Sequence, residues 1–125
     1  MRNALYSELN KINSSVKVYH ISHPLKKKEP PFVILKMETE VQTRLSSFTP
    51  FSVFCYSKAG DLNTLDNLCG KIKNALNKKM INRVSDDTSF IIEYEGASAD
   101  FVDDDFNAVC RKLSFKVPIF GNDFL

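Results

Sequence analysis

Leu5, Leu9 and Ile12 recur at helical spacing near the start of the chain, with Glu8 and Lys11 on other faces, and predict a short amphipathic helix over residues 2–13. The period then changes. Val16 to Ile21 is β-branched and aromatic and reads as a first strand, and the loop SHPLKKKEPP after it holds prolines and three lysines that stop any regular element. PFVILKMETEV predicts a second strand, with Val33, Leu35, Met37 and Val41 on a core face and Phe32, Ile34, Lys36, Glu38 and Glu40 on the other. FTPFSVFCYS predicts a third, in which Phe51, Val53 and Cys55 alternate with Ser52, Phe54 and Tyr56; Pro50 places its beginning at an edge or bulge.

Asp61 is a good N-cap for the longest helix, expected to run to about Lys79. Leu62, Leu65, Leu68, Cys69, Ile72, Ala75, Leu76 and Met80 fill one arc of it, and Lys73, Lys78 and Lys79 gather at the end favoured by the helix dipole. FIIEYE predicts a fourth strand, Gly96 opens an acidic loop, and residues 107–119 predict a final strand with Val109, Leu113, Phe115, Val117 and Ile119 on one face and Arg111 as the one polar intruder. At about 3.3 Å per residue that strand reaches about 43 Å, so it bends or runs past its own domain. The expected fold is α+β: a mainly antiparallel sheet of about five strands with two helices on one face, in the order α-β-β-β-α-β-β. The second sheet face keeps Phe32, Ile34, Phe54 and Tyr56, an apolar patch that needs a partner.

Composition adds limits. With 125 residues, 43% hydrophobic and 26% charged, the chain is expected to form one domain over residues 1–125 and to bury about two-thirds of its surface. A net charge of +2 does not single out nucleic acid or an acidic membrane as a partner. No segment approaches the roughly 18 apolar residues of a membrane span, and MRNALYSELNKI lacks a continuous apolar run of signal-peptide length, so a soluble, unexported product is expected.

Candidate chemistry is sparse. Cys55, Cys69 and Cys110 are odd in number, widely spaced and set in apolar stretches, which fits buried, inert thiols better than a disulfide framework or a nucleophile. His20 and His23 have a spacing that can ligate a metal, but no further ligand motif stands near them, and they read as a loop-edge pair. FVDDD lacks the spacing of a calcium loop, and single glycines at 60, 70, 96 and 121 form no phosphate cradle. No enzyme, metal or cofactor is expected. Lys26, Lys27 and Lys28 form a basic patch that can touch phosphates, though a solvated charge run is the simpler reading.

The order of elements resembles the tail-terminator, or tail-completion and head–tail joining, proteins of long-tailed phages and prophages. The resemblance is carried by ALYSELNKI, by Val18-Tyr19 with a loop closing at Pro30-Pro31 before FVIL, by FSVFCYSK feeding directly into LNTLDNLCGKIKNALN, and by the final RKLSFKVPIF. It departs from the family where Tyr19 is followed by His20 and not proline, and where residues 97–105 make a long acidic loop. It implies a non-enzymatic ring, typically of six copies, that caps the tail tube and meets the head connector, placing the chain in the virion tail after assembly in the host cytoplasm. Partners would be further copies of the chain, tail-tube and connector proteins, with DNA passing non-specifically. Phe32, Ile34, Phe54 and Tyr56 then become candidates for the subunit interface. Two loops of opposite sign, Lys26 to Lys28 and Asp103, Asp104 and Asp105, become candidates for facing a channel or a partner, with no basis for choosing between them. A small α+β interaction module unrelated to phage assembly is the alternative.

Overall fold

The computed structural model describes residues 2–12, 16–20, 30–42, 47–82, 89–104 and 107–119, apart from the side chains of residues 20, 82 and 119. Two twelve-residue strands, β4 (Ser47–Lys58) and β9 (Ala108–Ile119), form its centre and pair antiparallel from Ser47↔Ile119 to Lys58↔Ala108. On the free side of β4 lie β2 (Phe32–Met37), antiparallel, and then β1 (Lys17–His20), which runs parallel to β2. A short β3 (Val41–Gln42) pairs with the beginning of β4, while β7 (Glu93–Ala97) and β8 (Phe101–Asp103) share the other side of β9. The long final strand is therefore matched along its whole length, and β4 is equally long.

Helices α1 (Arg2–Ile12) and α2 (Leu62–Leu76) supply Leu5, Leu9, Leu65, Leu68, Cys69, Ile72 and Leu76 to one core. Val33, Leu35, Phe51, Val53, Cys55, Leu113, Phe115 and Val117 complete it from the sheet. Phe51 and Phe115, opposite each other in the register, stack at 5.1 Å, and Tyr94 meets Phe115 edge-on at 5.5 Å. α1 is tied down by the Tyr6 hydroxyl, which donates to the Val18 carbonyl at 2.9 Å. Asp61 caps α2 as expected: its carboxylate accepts from the Thr64 N–H at 3.2 Å and the Thr64 hydroxyl at 2.7 Å. Those bonds lower its pKa.

The fold is α+β, but the main sheet has seven strands, with a separate pair formed by β5 (Met80–Asn82) and β6 (Ser89–Ile91). Four departures from the sequence expectation have physical reasons. PFVILKMETEV is not one strand: Met37 pairs with Phe51 but Val41 pairs with Phe48, so one extra residue lies on the outer strand between them. A one-residue shift exchanges faces, which moves Val41 off the core face and leaves it 38% exposed. Pro50 lies at that break, where its carbonyl accepts from the Glu38 N–H at 3.1 Å; the missing proline N–H points to the same gap and costs no ladder bond.

Helix α2 stops at Leu76 and not near Lys79, because Lys78 turns to a φ of 61° and its N–H donates to the Ile92 carbonyl at 2.7 Å. Met80 consequently leaves the apolar arc and is 58% exposed, and Leu62 and Ala75 are exposed as well. FIIEYE divides at Ile92 into β6 and β7, the latter carrying a bulge between Tyr94 and Gly96, where Gly96 adopts a φ of 151°. The acidic loop contains β8, a strand too short to show a period.

The Phe51–Phe115 stack is fully buried, so Phe115→Ala should lower unfolding free energy by about 3–5 kcal/mol. Chemical denaturation followed by circular dichroism checks this; a loss below about 1 kcal/mol would contradict the packing described.

Candidate assembly surface

The sheet face opposite the helices is built by alternate residues of β1, β2, β4 and β9, and it divides into two halves. In one, Phe32, Ile34, Tyr56, Ala108 and Cys110 form a second buried cluster, with Tyr19 and Phe54 packed on its margin. Phe32 and Tyr56 are register partners and stack at 4.5 Å, and Tyr19 meets Phe32 edge-on at 6.0 Å. The Tyr56 hydroxyl reaches Asp103 Oδ2 on β8 at 3.4 Å. Burial raises the Tyr56 pKa above its ordinary value, with Cys110 and Asp103 adding to the shift. The phenol stays protonated and donates.

The other half is polar. The Ser52 hydroxyl donates to Glu38 at 3.5 Å, and Lys116 sits 3.3 Å from Glu95 and 3.8 Å from Glu93. Lysines lie over aromatic rings on this face: Lys112 Nζ is 6.0 Å from the Phe54 ring centroid, and Lys116 Nζ is 5.3 Å from that of Phe48. Phe54 and Lys112 are also direct register partners, so an apolar ring and a cation are presented together.

The structure brings all four expected interface residues, Phe32, Ile34, Phe54 and Tyr56, to this one face. It also buries three of them within the chain, with Phe32 at 1%, Ile34 at 6% and Tyr56 at 7% exposure, and leaves Phe54 half-buried. Lys26, Lys27 and Lys28, Asp105 and His23 lie outside the described residues, as does the His20 side chain. Asp103 belongs to β8 and Asp104 follows it, exposed.

Arg111, the polar residue on the core face of β9, is explained by its partners. Its Nε donates to Asp100 Oδ1 at 2.6 Å, one terminal nitrogen donates to Asp100 Oδ2 at 3.0 Å, and the same nitrogen donates to Asp66 on α2 at 2.7 Å. The guanidinium so joins strand, helix and the β7–β8 connection in one bidentate-plus-one clamp. These hydrogen bonds hold the Asp100 pKa below the usual carboxylate range and raise that of Arg111. The sequence marks Arg111 as an anomaly but gives no spacing rule that pairs it with residues so far away.

All three cysteines are free and buried. A thiol hydrogen bond to Cys69, together with burial, holds Cys55 well above the usual thiol pKa; the same bond, with Arg111 nearby, lowers that of Cys69, and burial pushes Cys110 up to about 12. Among the described residues no group of three or more His, Cys, Asp or Glu side chains can hold a metal, and no helix is long and apolar enough to cross a membrane. An apolar crevice between α1, β1 and α2 is lined by Leu9, Ile12, Val16, Val18, Val33, Leu68 and Ile72, with no polar side chain to orient a ligand.

No family model and no curated protein matches the sequence. Solved structures do share the fold. A chain from the virion of a native gene transfer agent particle superposes at a TM-score of 0.68, with 13% identity, over 97% of this chain and 95% of that one. A second solved chain superposes at 0.59, with 9% identity, over 97% and 92% respectively.

The Arg111 clamp predicts a pH dependence. A carboxylate with a depressed folded pKa contributes stability that is complete above its unfolded pKa of about 3.9 and is lost as pH falls through the lower folded value. Denaturation of wild type and Asp100→Asn should therefore differ by about 1 kcal/mol at neutral pH and converge toward pH 2. A difference that persists unchanged in acid would contradict the clamp.

Proposed function

We propose that the chain is a structural subunit of a phage-type virion, and that residues 1–125 act as one tail-terminator-like domain without catalytic turnover. The observation that carries this reading is the fold shared, across nearly the whole of both chains, with a chain of a gene transfer agent virion. The tail-terminator resemblance of the sequence supports the same assignment from a separate direction. In this role, copies would form a ring, of six by that resemblance, which caps the tail tube and meets the head connector while DNA passes through without specific contact.

The helix-free face fits a contact with a neighbouring virion component. Phe32, Ile34 and Tyr56 form its buried support, and Phe54 with Lys112 is the part a partner can touch. Aromatic side chains with an adjacent cation are favourable anchors in interfaces, since the ring supplies area and the cation orients it. This assignment distinguishes Phe54 from the three residues beneath it.

Removing the gene should leave heads and tails that accumulate unjoined, or tails of irregular length, when lysates are viewed by electron microscopy. Complete particles in normal number would overturn the reading. Complementation with Phe54→Ser should reproduce the defect while costing the purified chain only about 1 kcal/mol of stability, because that ring is not fully buried. Phe32→Ser should instead destabilise the chain by about 3–5 kcal/mol.

A further inference from the structure

Two three-residue strands lie at opposite ends of the molecule, and they carry opposite signs. β8 pairs with β9 at Ala108 to Cys110, beside the start of α2. β5 follows the end of α2, and the adjoining β7 meets β9 at Lys116. The fifteen residues of α2 separate these ends by about 22 Å. Each strand has a hydrogen-bonded partner on one side and no strand partner on its outer side among the described residues. Each also exposes large apolar side chains, with Phe101 at 42% and Val102 at 68% on β8, and Met80 at 58% on β5. An open strand edge with exposed apolar groups is a pairing surface.

The charges around the two edges are complementary. Among the described residues, the charges on β8, beside it and at the start of α2 are Asp61, Asp66, Asp100, Asp103 and Asp104, against Lys58 and Arg111. Arg111 is shared between Asp66 and Asp100, so it offsets only one of those two charges. Among the described residues, the charges that α2 and its end bring toward β5 are Lys71, Lys73, Lys78 and Lys79, all exposed, with Lys73 Nζ 4.7 Å from the Tyr94 ring centroid. The nearest acids of the adjoining strand, Glu93 and Glu95, are paired with Lys116 on the opposite sheet face. The β8 edge is thus an apolar strip with an acidic rim, and the β5 edge an apolar strip with a basic rim.

We propose that β8 of one copy of this chain docks on β5 of the next, with Phe101 and Val102 against Met80 and the acidic rim against the lysines at the end of α2. Because the two edges are different surfaces at opposite ends, the contact is head-to-tail, and repeated contacts of that kind generate a ring if the rotation closes and a filament if it does not. The inference rests on the proposed function only for the expectation that copies associate.

Charge substitution at the contact provides the test. Val102→Lys/Asp104→Lys sets two lysines on the β8 edge, cancels the net negative charge of its rim and spares Asp103, which touches Tyr56; Lys79→Glu/Met80→Glu sets two carboxylates on the β5 edge and removes most of the net positive charge of its rim. All four positions are exposed, so thermal melts should stay near wild type. By analytical ultracentrifugation the wild type should associate, and raising salt from about 0.1 M to about 1 M, which shortens the screening length from about 10 Å to about 3 Å, should weaken it. Each double variant alone should raise the dissociation constant by at least about tenfold. An equal mixture of the two should associate again, because the native β8 of one still meets the native β5 of the other. A wild type that stays monomeric, variants that assemble normally, or folded variants whose mixture stays monomeric would each overturn this contact. Assembly that persists in the variants would leave the virion role standing and place the self-contact elsewhere, whereas loss of the virion role is read separately from the joined or unjoined particles.

Discussion

The register between β4 and β9 is the constraint on which the rest depends. Twelve consecutive pairs fix which side chains of both strands face the helices and which face away. That single alignment stacks Phe51 on Phe115 in the main core, sets Phe54 beside Lys112 on the opposite face, and brings Tyr56 next to Cys110 in the second cluster. A slip of one residue would exchange the two faces and place the stack in solvent. The outer strands adapt to this ladder: β2 and β3 change register against β4, and β7 and β8 share β9 with a bulge between Tyr94 and Gly96.

The two faces are satisfied differently. On the helix side, hydrocarbon and aromatic side chains close a continuous core; buried Ser57 donates to the Asp61 carbonyl at 2.8 Å, and Arg111 escapes to the margin and is held by two aspartates. On the far side, apolar burial is concentrated near Phe32 and Tyr56 and gives way to a buried Ser52 and to lysines, serines and glutamates toward the other end of the ladder. The perturbed thiols and phenol are buried, whereas Asp61, Asp100 and Arg111 are shifted by the hydrogen bonds that cap α2 and form the clamp. The accessible features among the described residues include strand edges, an aromatic–cation pair and charged rims.

Much of this was legible in the sequence. The two helices, the strong alternation in FSVFCYSK and RKLSFKVPIF, and the cap at Asp61 carry local signals that packing reinforces. That Phe32, Ile34, Phe54 and Tyr56 share one sheet face was legible too. What could not be read was long-range. A register change between Met37 and Val41 leaves no local mark, a three-residue strand such as β8 has no period, and Lys78 leaves the helix only because the Ile92 carbonyl is there to receive it. The same holds for exposure: alternation names the face on which Phe32 lies, but not that the folded chain buries it.

The proposed virion subunit must be present in the finished particle in fixed number. Quantitative mass spectrometry of purified particles should find the chain in a small constant ratio to the major tail component, with six copies per tail if the ring has the size the resemblance implies. Complete, infectious or DNA-transferring particles that contain none of it would contradict the account.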